Sequence, residues 1–356
     1  MTGRLARYVG RLFLARTVGA VLVFAALMQV LDLLDAATEV MERGKGAWGI
    51  GYYALLRLPV ILEQTFPLGV LVGGLLTFAT LARNNEIVVL RMAGLPVFRL
   101  VLGLLPPVLA IAGLHFAIAD QVVPRFERRL AIWWEREPTE EQRQPKAMWV
   151  RADGDLVAID RISQAGTRAE GVRIYRRGAR EQLEVRIFAP QAVLENGRWR
   201  LLGATESTVV DGRITPSEPA DRTWETRLTP SDLIQLTLPF GHVSAGAARS
   251  ALTGDQATAR APAYYEMRLQ RAFAEPLSAL VMLLLATPAA TANRRAGQAG
   301  RRLLIGLGLG MLFLLVDGIL VALGEAGRLP PELAAWAALG FFGSIGAFVL
   351  LQLDAQ

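Results

Sequence analysis

The sequence predicts a polytopic α-helical membrane protein, with six transmembrane helices in a 3+3 arrangement and an all-β domain inserted between the two sets. Hydrophobic residues make up 53% of the 356 residues, and the mean hydropathy is +0.34. These values are too apolar for an ordinary soluble protein. Six apolar stretches reach the length of about 20 residues that a helix needs to cross a bilayer. A long polar segment, 125–262, separates the third stretch from the fourth and cannot span a membrane.

The six stretches share a low content of charge and lie at about 12–34, 59–81, 97–119, 273–291, 303–323 and 333–353. The fourth is the weakest, because Glu275 and Pro276 stand at its start. The first is too long for the apolar region of a cleaved signal peptide, so we expect a retained span. We therefore divide the chain into residues 1–124, 125–262 and 263–356.

The distribution of charge predicts the orientation of the spans. Arginines cluster in the connections on one side of the predicted membrane: Arg4, Arg7, Arg11, Arg83, Arg91, Arg99, Arg294, Arg295, Arg301 and Arg302. The positive-inside rule places these connections and both termini in the cytoplasm. Segment 125–262 then lies in the periplasm of a bacterium with two membranes. Its basic and acidic residues nearly balance, so we expect no binding of nucleic acid.

The polar segment reads as β structure that ends in a linker. Asp153-Gly154 and Asn196-Gly197 are strong hairpin turn signals between alternating strands, and Asp211-Gly212 marks a third hairpin. Short strands at this spacing favour an all-β sandwich or jelly roll. Residues 240–262 are rich in Gly, Ala, Ser and Thr and are typical of a linker back to the membrane.

Three polar residues within the predicted spans are candidates for a function inside the membrane. Gln29 and Asp32 lie three apart near the outer end of the first span, and Asp317 lies in the middle of the fifth. Acids at such a depth usually face the bundle interior or a water-filled path. Asp32 could equally cap its helix at the level of the lipid headgroups. Asp317 could equally be bonded to a neighbouring helix, so both alternatives stay open.

The residues that enzymes and ATPases need are missing. With two histidines, His115 and His242, and no cysteine, we expect no catalytic residue, no metal site and no thiolate chemistry. The two lysines, Lys45 and Lys146, are followed by Gly46 and Ala147, so neither completes a phosphate-binding loop. Any ATP-driven work must therefore come from a partner protein.

A short amphipathic segment, about 83–93, connects the second and third spans on the predicted cytoplasmic side. Arg83, Glu86 and Arg91 are its charged residues. We interpret it as a surface helix through which another protein acts on the spans. The alternative is a solvated helix whose Glu86 only complements the helix dipole.

The chain resembles the LptF/LptG permeases of the lipopolysaccharide exporter over essentially its whole length, and the matches favour the LptG branch. The matching segments are collinear and read Leu81–Leu90 with Ala93-Gly94, Pro59 with Phe66-Pro67, Met148–Arg151, Asp160–Ile162 with Gly171–Tyr175, Trp224–Pro230, Glu275–Ser278 and Val316-Asp317.

This resemblance implies a non-catalytic subunit of an ABC exporter in the bacterial inner membrane. Its partners would be an LptB-like ATPase dimer that binds ATP and Mg²⁺, an LptF-like second permease and an LptC-like single-span protein. The complex would lift lipopolysaccharide into a periplasmic bridge of β-jelly-roll domains. In the family, the acid of the cytoplasmic loop helix docks into the ATPase, and that position is Glu86 here.

One departure concerns the lipid phosphates. Relatives hold these phosphates with basic residues where this chain has Gln29, Asp35, Ala36 and Val60. Headgroup contact would then fall to other basic residues, for which the candidates are Arg43, Lys45, Arg57, Arg125, Arg128, Arg129 and Arg136. Alternatively, the lipid of the source organism carries fewer phosphates.

Two further functions fit parts of the sequence. A membrane-anchored scaffold would use the β domain to recruit periplasmic proteins, but it gives no reason for the cytoplasmic helix that bears Glu86. An ion-coupled carrier would use Asp32 and Asp317, and it predicts broken helices at matching places in two repeats. The interruptions at Pro59–Pro67 and Glu275–Pro276 correspond only loosely.

Overall fold

The computed structural model describes residues 3–135, 147–163, 166–177, 183–195, 197–210, 213–226, 228–230, 233, 243–253, 258, 260–291 and 298–355. The chain separates into two compact units. The first, the helical unit, combines Met1–Glu127 with Met267–Gln356, and the second, the sheet unit, is Arg128–Glu266.

Most of the described helices belong to the helical unit, α6 belongs to the sheet unit, and α5 and α7 each contain residues of both. Their bounds are α1 Gly3–Glu42, α2 Gly46–Arg83, α3 Glu86–Met92, α4 Val97–Ala117, α5 Val123–Glu135, α6 Ala245–Leu252, α7 Pro262–Leu285, α8 Gln298–Glu325 and α9 Pro331–Ala355. A π-helical turn, Ile118–Val122, joins α4 to α5, and a 3₁₀ turn, Thr287–Thr291, follows α7.

Six helical segments of the described chain are long and apolar enough to cross a membrane. They are Gly3–Glu42, Gly46–Arg83, Val97–Trp134, Pro262–Ala289, Gly300–Glu325 and Pro331–Gln352. Each contains or closely overlaps one predicted span, which confirms a polytopic helical membrane protein. The helices run past the apolar stretches, because helix-forming polar residues continue the hydrogen-bonded backbone beyond them.

Glycines on α2 and α8, among them Gly73, Gly74, Gly306 and Gly310, let neighbouring helices approach closely. A Cβ atom at Gly73 would lie 2.7 Å from the Cα atom of Thr17 on α1. A Cβ atom at Gly310 would overlap a methyl group of Leu71 on α2. Such contacts are typical of membrane helices, where small residues bring backbones together.

The sheet unit contains an eight-stranded sheet in which every pairing is antiparallel. The strands are β1 Met148–Ala152, β2 Asp155–Ile159, β3 Arg161–Ile162, β4 Arg168–Arg177, β5 Leu183–Glu195, β6 Arg198–Val210, β7 Arg213–Pro216 and β8 Ala220–Trp224. Their order is β1-β2-β4-β5-β6-β7, while β3 also pairs with β4 and β8 also pairs with β6.

The three predicted hairpins are confirmed by the strand pairing. In the first, Ala152 pairs with Asp155 across a turn in which Asp153 and Gly154 have φ angles of 51° and 87°. Positive φ at both central residues is the geometry of a type I′ turn, which matches the twist of the flanking strands. The strands on either side of the other two signals also pair, with Glu195 opposite Arg198 and Val210 opposite Arg213, while Asn196, Asp211 and Gly212 lie outside the described residues.

The reading of 240–262 as linker was incomplete, because α6 lies within it. Ser244 caps this helix, and its hydroxyl oxygen accepts a hydrogen bond from the backbone N–H of Ala247 at 3.3 Å. Alanine favours helix and serine favours the cap position. The small-residue composition that suggested a linker therefore also suits a short capped helix.

Candidate coupling helix and intramembrane ion pairs

Helix α3 forms in the segment predicted at about 83–93 and has well-defined ends. Asn85 precedes it in the left-handed conformation, with a φ angle of 55°. Glu86 in the first turn and Arg91 in the last complement the helix dipole. At the C-terminus, the N–H groups of Gly94 and Leu95 donate to the carbonyls of Arg91 and Leu90. This is the Schellman arrangement, for which the positive φ of glycine is suited.

One face of α3 packs on the helical unit and the other is exposed. Ile87 is buried in the core of the unit, and Leu90 packs against that core. Val88, Val89 and Met92 point outward, and Met92 is 76% exposed. Residues three and four apart share a face of a helix. The helix therefore presents an apolar surface that the described helices leave uncovered.

The carboxylate of Glu86 is held in place by two neighbours. The Tyr8 hydroxyl donates to its Oε1 atom at 3.3 Å, and the Asn84 side-chain amide donates to the same atom at 3.2 Å. Glu86 is half-buried, whereas Arg83 and Arg91 are exposed. Sequence reasoning missed Tyr8, because it lies 78 residues before Glu86 and no local pattern joins them.

Asp32 forms an ion pair between α1 and α2. Its Oδ1 atom lies 2.8 Å from the Nη2 atom of Arg57, and both side chains are 19% exposed. Asp32 and Arg57 therefore join α1 to α2.

Asp317 forms a second ion pair, between α8 and α7. Its Oδ2 atom lies 2.5 Å from the Nη1 atom of Arg271, and the Asp317 side chain is 8% exposed. The Nε atom of Arg271 also lies 3.3 Å from a carboxylate oxygen of Glu275. Sequence reasoning missed Arg271, although its i,i+4 spacing to Glu275 was a usable signal. The structural alternative for Asp317, a bond to a neighbouring helix, is the one observed.

The remaining polar candidate, Gln29, is half-buried on α1. Both polar atoms of its side-chain amide are buried and have no hydrogen-bond partner among the residues that the structure describes. A buried amide without partners is costly in an apolar medium.

The basic residues proposed for headgroup contact differ in accessibility. Arg43 follows the end of α1 and is buried, and its guanidinium lies 2.6 Å from Glu39 of that helix, while Lys45 is half-buried. The exposed candidates are Arg125, Arg128 and Arg129, and Arg136 lies outside the described residues. Arg43 and Arg57 are weaker candidates than the exposed arginines, because their side chains are only 1% and 19% exposed.

Comparison with known proteins adds the family. Residues 7–352 match the model of the lipopolysaccharide export system permeases LptF/LptG. The chain is 24% identical over 359 residues to the lipopolysaccharide export system permease protein LptG of Escherichia coli K12, with 98% of each chain covered. It is 23% identical over 329 residues to the LptG protein of Haemophilus influenzae, with 90% of each covered. Together with its six apolar helices, these matches make the chain a multi-pass inner-membrane protein. It belongs to the LptF/LptG family of lipopolysaccharide export permeases.

Proposed function

We propose that this chain is a transmembrane permease subunit of an ABC exporter that extracts lipopolysaccharide from the inner membrane. The proposal rests on the family match, which covers residues 7–352 and therefore includes residues of both the helical unit and the sheet unit. The lipid passes to a periplasmic bridge of β-jelly-roll domains. ATP hydrolysis in a partner subunit drives the transfer.

The energy enters from outside the chain. The sequence has no phosphate-binding loop, so an LptB-like ATPase dimer binds ATP and Mg²⁺. An LptF-like second permease completes the membrane part, and an LptC-like single-span protein joins it. This chain contributes no nucleotide cofactor and no catalytic residue of its own.

Helix α3 is the proposed contact with the ATPase. Its exposed residues Val88, Val89 and Met92 supply an apolar surface of the kind that partners cover. Glu86 supplies a carboxylate that can accept charge-assisted hydrogen bonds from an arginine of the partner. Its bonds from Tyr8 and Asn84 reduce the number of positions that the carboxylate samples before docking. Arg83 and Arg91 flank this contact and complement acidic groups of the partner.

The orientation follows from the arginine distribution. With both termini in the cytoplasm, α3 faces the ATPase, and the sheet unit lies in the periplasm, where it receives the lipid. The exposed Arg125, Arg128 and Arg129 are the proposed contacts with anionic headgroups. The carrier alternative loses support, because Asp32 and Asp317 are each paired with an arginine.

The test is capture of the ATPase by variants of Glu86. Glu86→Lys is expected to release the ATPase, because it places a cation against the proposed partner arginine. Glu86→Gln keeps the acceptor oxygen but loses the charge, so it is expected to weaken capture by about 10-fold to 100-fold, which is the worth of a charged hydrogen bond. Glu42→Lys is the matched control, because it reverses a charge on the opposite side of the predicted membrane, and it is expected to capture the ATPase normally.

The readout separates docking from folding. Each variant is purified with co-expressed ATPase and second permease, and the bound ATPase is quantified together with ATP hydrolysis. Full capture and coupled hydrolysis by Glu86→Lys would contradict the proposed role of Glu86. Tyr8→Phe provides a graded variant, since it removes one bond to the carboxylate and is expected to reduce capture less than Glu86→Gln does.

A further inference from the structure

Three side chains with metal-ligating atoms meet inside the helical unit, away from α3. Glu63 of α2, His115 of α4 and Glu275 of α7 each offer one donor atom, and these atoms all lie within 4.8 Å of one another. The first two residues precede the sheet unit in the chain and the third follows it. The group therefore connects the two sets of membrane-spanning helices.

The imidazole is the distinctive member of this group. His115 is 1% exposed, and its Nε2 atom is buried with no hydrogen-bond partner among the described residues. The ring stacks on Phe66, with 5.3 Å between the ring centroids and 28° between the planes. A buried nitrogen without a partner is unfavourable. The stacking holds the ring in place, so the nitrogen cannot easily turn toward another donor.

The neighbours of the imidazole are themselves donors of the kind that metal ions use. Glu63 and Glu275 bring two carboxylates to His115, and Arg271 contacts Glu275 at 3.3 Å and Asp317 at 2.5 Å. Two carboxylate oxygens beside an imidazole nitrogen form a set of ligands that a divalent cation can bind.

The donor types indicate which cation. One imidazole nitrogen with two carboxylates is unlike the all-oxygen sites of Ca²⁺ and Mg²⁺, but it is within the ligand set of Zn²⁺. In tetrahedral ligation at about 2.1 Å, the donor atoms lie about 3.4 Å from one another. The three donor atoms here lie within 4.8 Å of one another, so binding requires each pair to approach by at most about 1.4 Å. Small rotations of the two glutamate side chains can supply that movement.

We propose that Glu63, His115 and Glu275 form a binding site for one divalent transition-metal ion of the Zn²⁺ class, which links α2, α4 and α7. The two carboxylates and one imidazole nitrogen occupy three positions, and a fourth position is left for water or another ligand. The ion shares Glu275 with Arg271, so the site is directly connected to the ion pair of Asp317. This proposal replaces the expectation of no metal site. That expectation rested on the scarcity of histidine and could not anticipate how the helices assemble.

The test uses the full chain, purified in detergent with an affinity tag that contains no histidine. The protein is dialysed against ZnCl₂, unbound zinc is removed, and the zinc bound per chain is measured by elemental mass spectrometry. The wild type is expected to hold one equivalent. His115→Gln and Glu63→Gln are expected to lower the affinity by more than the roughly 10-fold to 100-fold that loss of an outer-shell partner costs.

Two matched variants control for adventitious binding. Glu127→Gln changes another buried glutamate of the helical unit, and His242→Gln removes the other histidine of the chain. Both are expected to keep the equivalent of zinc. Because a ligand variant could fail to fold, the wild type is also loaded with Co²⁺. Its visible absorption is expected to show bands of four-coordinate nitrogen and oxygen ligation.

The proposal is overturned if the wild-type protein retains no zinc, or if His115→Gln retains as much zinc as the wild type does. It is also overturned if zinc is lost only in His242→Gln, or if the Co²⁺ spectrum is that of the hydrated ion. None of these readouts depends on an ATPase or a lipid. Failure here is therefore distinct from failure of the transport function.

Discussion

Replacing Arg271 with leucine is expected to destabilise the helical unit more than replacing its partner Asp317 does. Arg271 lies 2.5 Å from Asp317 and 3.3 Å from Glu275, and its side chain is 18% exposed. Without Arg271, two acids of low exposure lose their cation at once. Without Asp317, Arg271 keeps its contact with Glu275.

The magnitudes follow from this difference. Removing one partner of a buried ion pair costs about 3–5 kcal/mol, so Arg271→Leu is expected in that range. Asp317→Leu is expected to cost about 1–3 kcal/mol, the worth of a hydrogen bond to a charged group together with its desolvation. In the double variant Asp317 is absent, so Glu275 alone loses its cation. The double variant is therefore expected to lose about 1–3 kcal/mol less free energy of unfolding than the two single variants lose together.

The assay is equilibrium unfolding in mixed micelles, in which the helical circular dichroism signal is followed as the fraction of denaturing detergent increases. Arg301→Leu, an exposed arginine on α8, is the control and is expected to change the free energy of unfolding by less than about 0.5 kcal/mol. Strictly additive costs in the double variant would refute the pairing, and so would an Arg271→Leu protein as stable as Arg301→Leu.

Two further predictions concern packing, one in each unit. Gly73→Leu is expected to destabilise the helical unit by about 1–3 kcal/mol or more, because the new Cβ atom would overlap the α1 backbone. The same unfolding assay measures this loss, and the control is Gly113→Leu, where no atom lies within 4 Å of the new Cβ atom. Trp199→Phe is expected to cost about 2–3 kcal/mol of local stability, because the Trp199 indole N–H donates to the buried carbonyl of Leu228 at 2.8 Å. Amide hydrogen exchange of β5 and β6 in the intact chain measures this loss, with the half-exposed Trp149→Phe as the control; equal exchange in the two variants would contradict it.

Much of the fold could be predicted because its signals are local. An apolar run of about 20 residues is sufficient to identify a spanning helix. The Asp153-Gly154 turn specifies its hairpin through two residues that tolerate positive φ. Helix α3 could also be placed, since Gly94 marks its end and Glu86 its first turn.

The partners within the site could not be predicted, because periodicity assigns a residue to a helix face without naming the neighbour across from it. Arg271 and Asp317 are 46 residues apart in sequence, and Tyr8 and Glu86 are 78 apart. The grouping of His115 with two glutamates likewise depends on how three helices assemble. A single histidine in an apolar helix carries no such information.

The central claim is that this chain connects an ATPase to the movement of a lipid. Its most direct test is to purify the wild-type chain from its own membrane and to identify the bound protein and lipid by mass spectrometry. The account predicts an ATPase, a second permease and a lipopolysaccharide-like lipid in the purified complex. Recovery of neither an ATPase nor such a lipid would contradict it and would favour the scaffold that recruits periplasmic proteins.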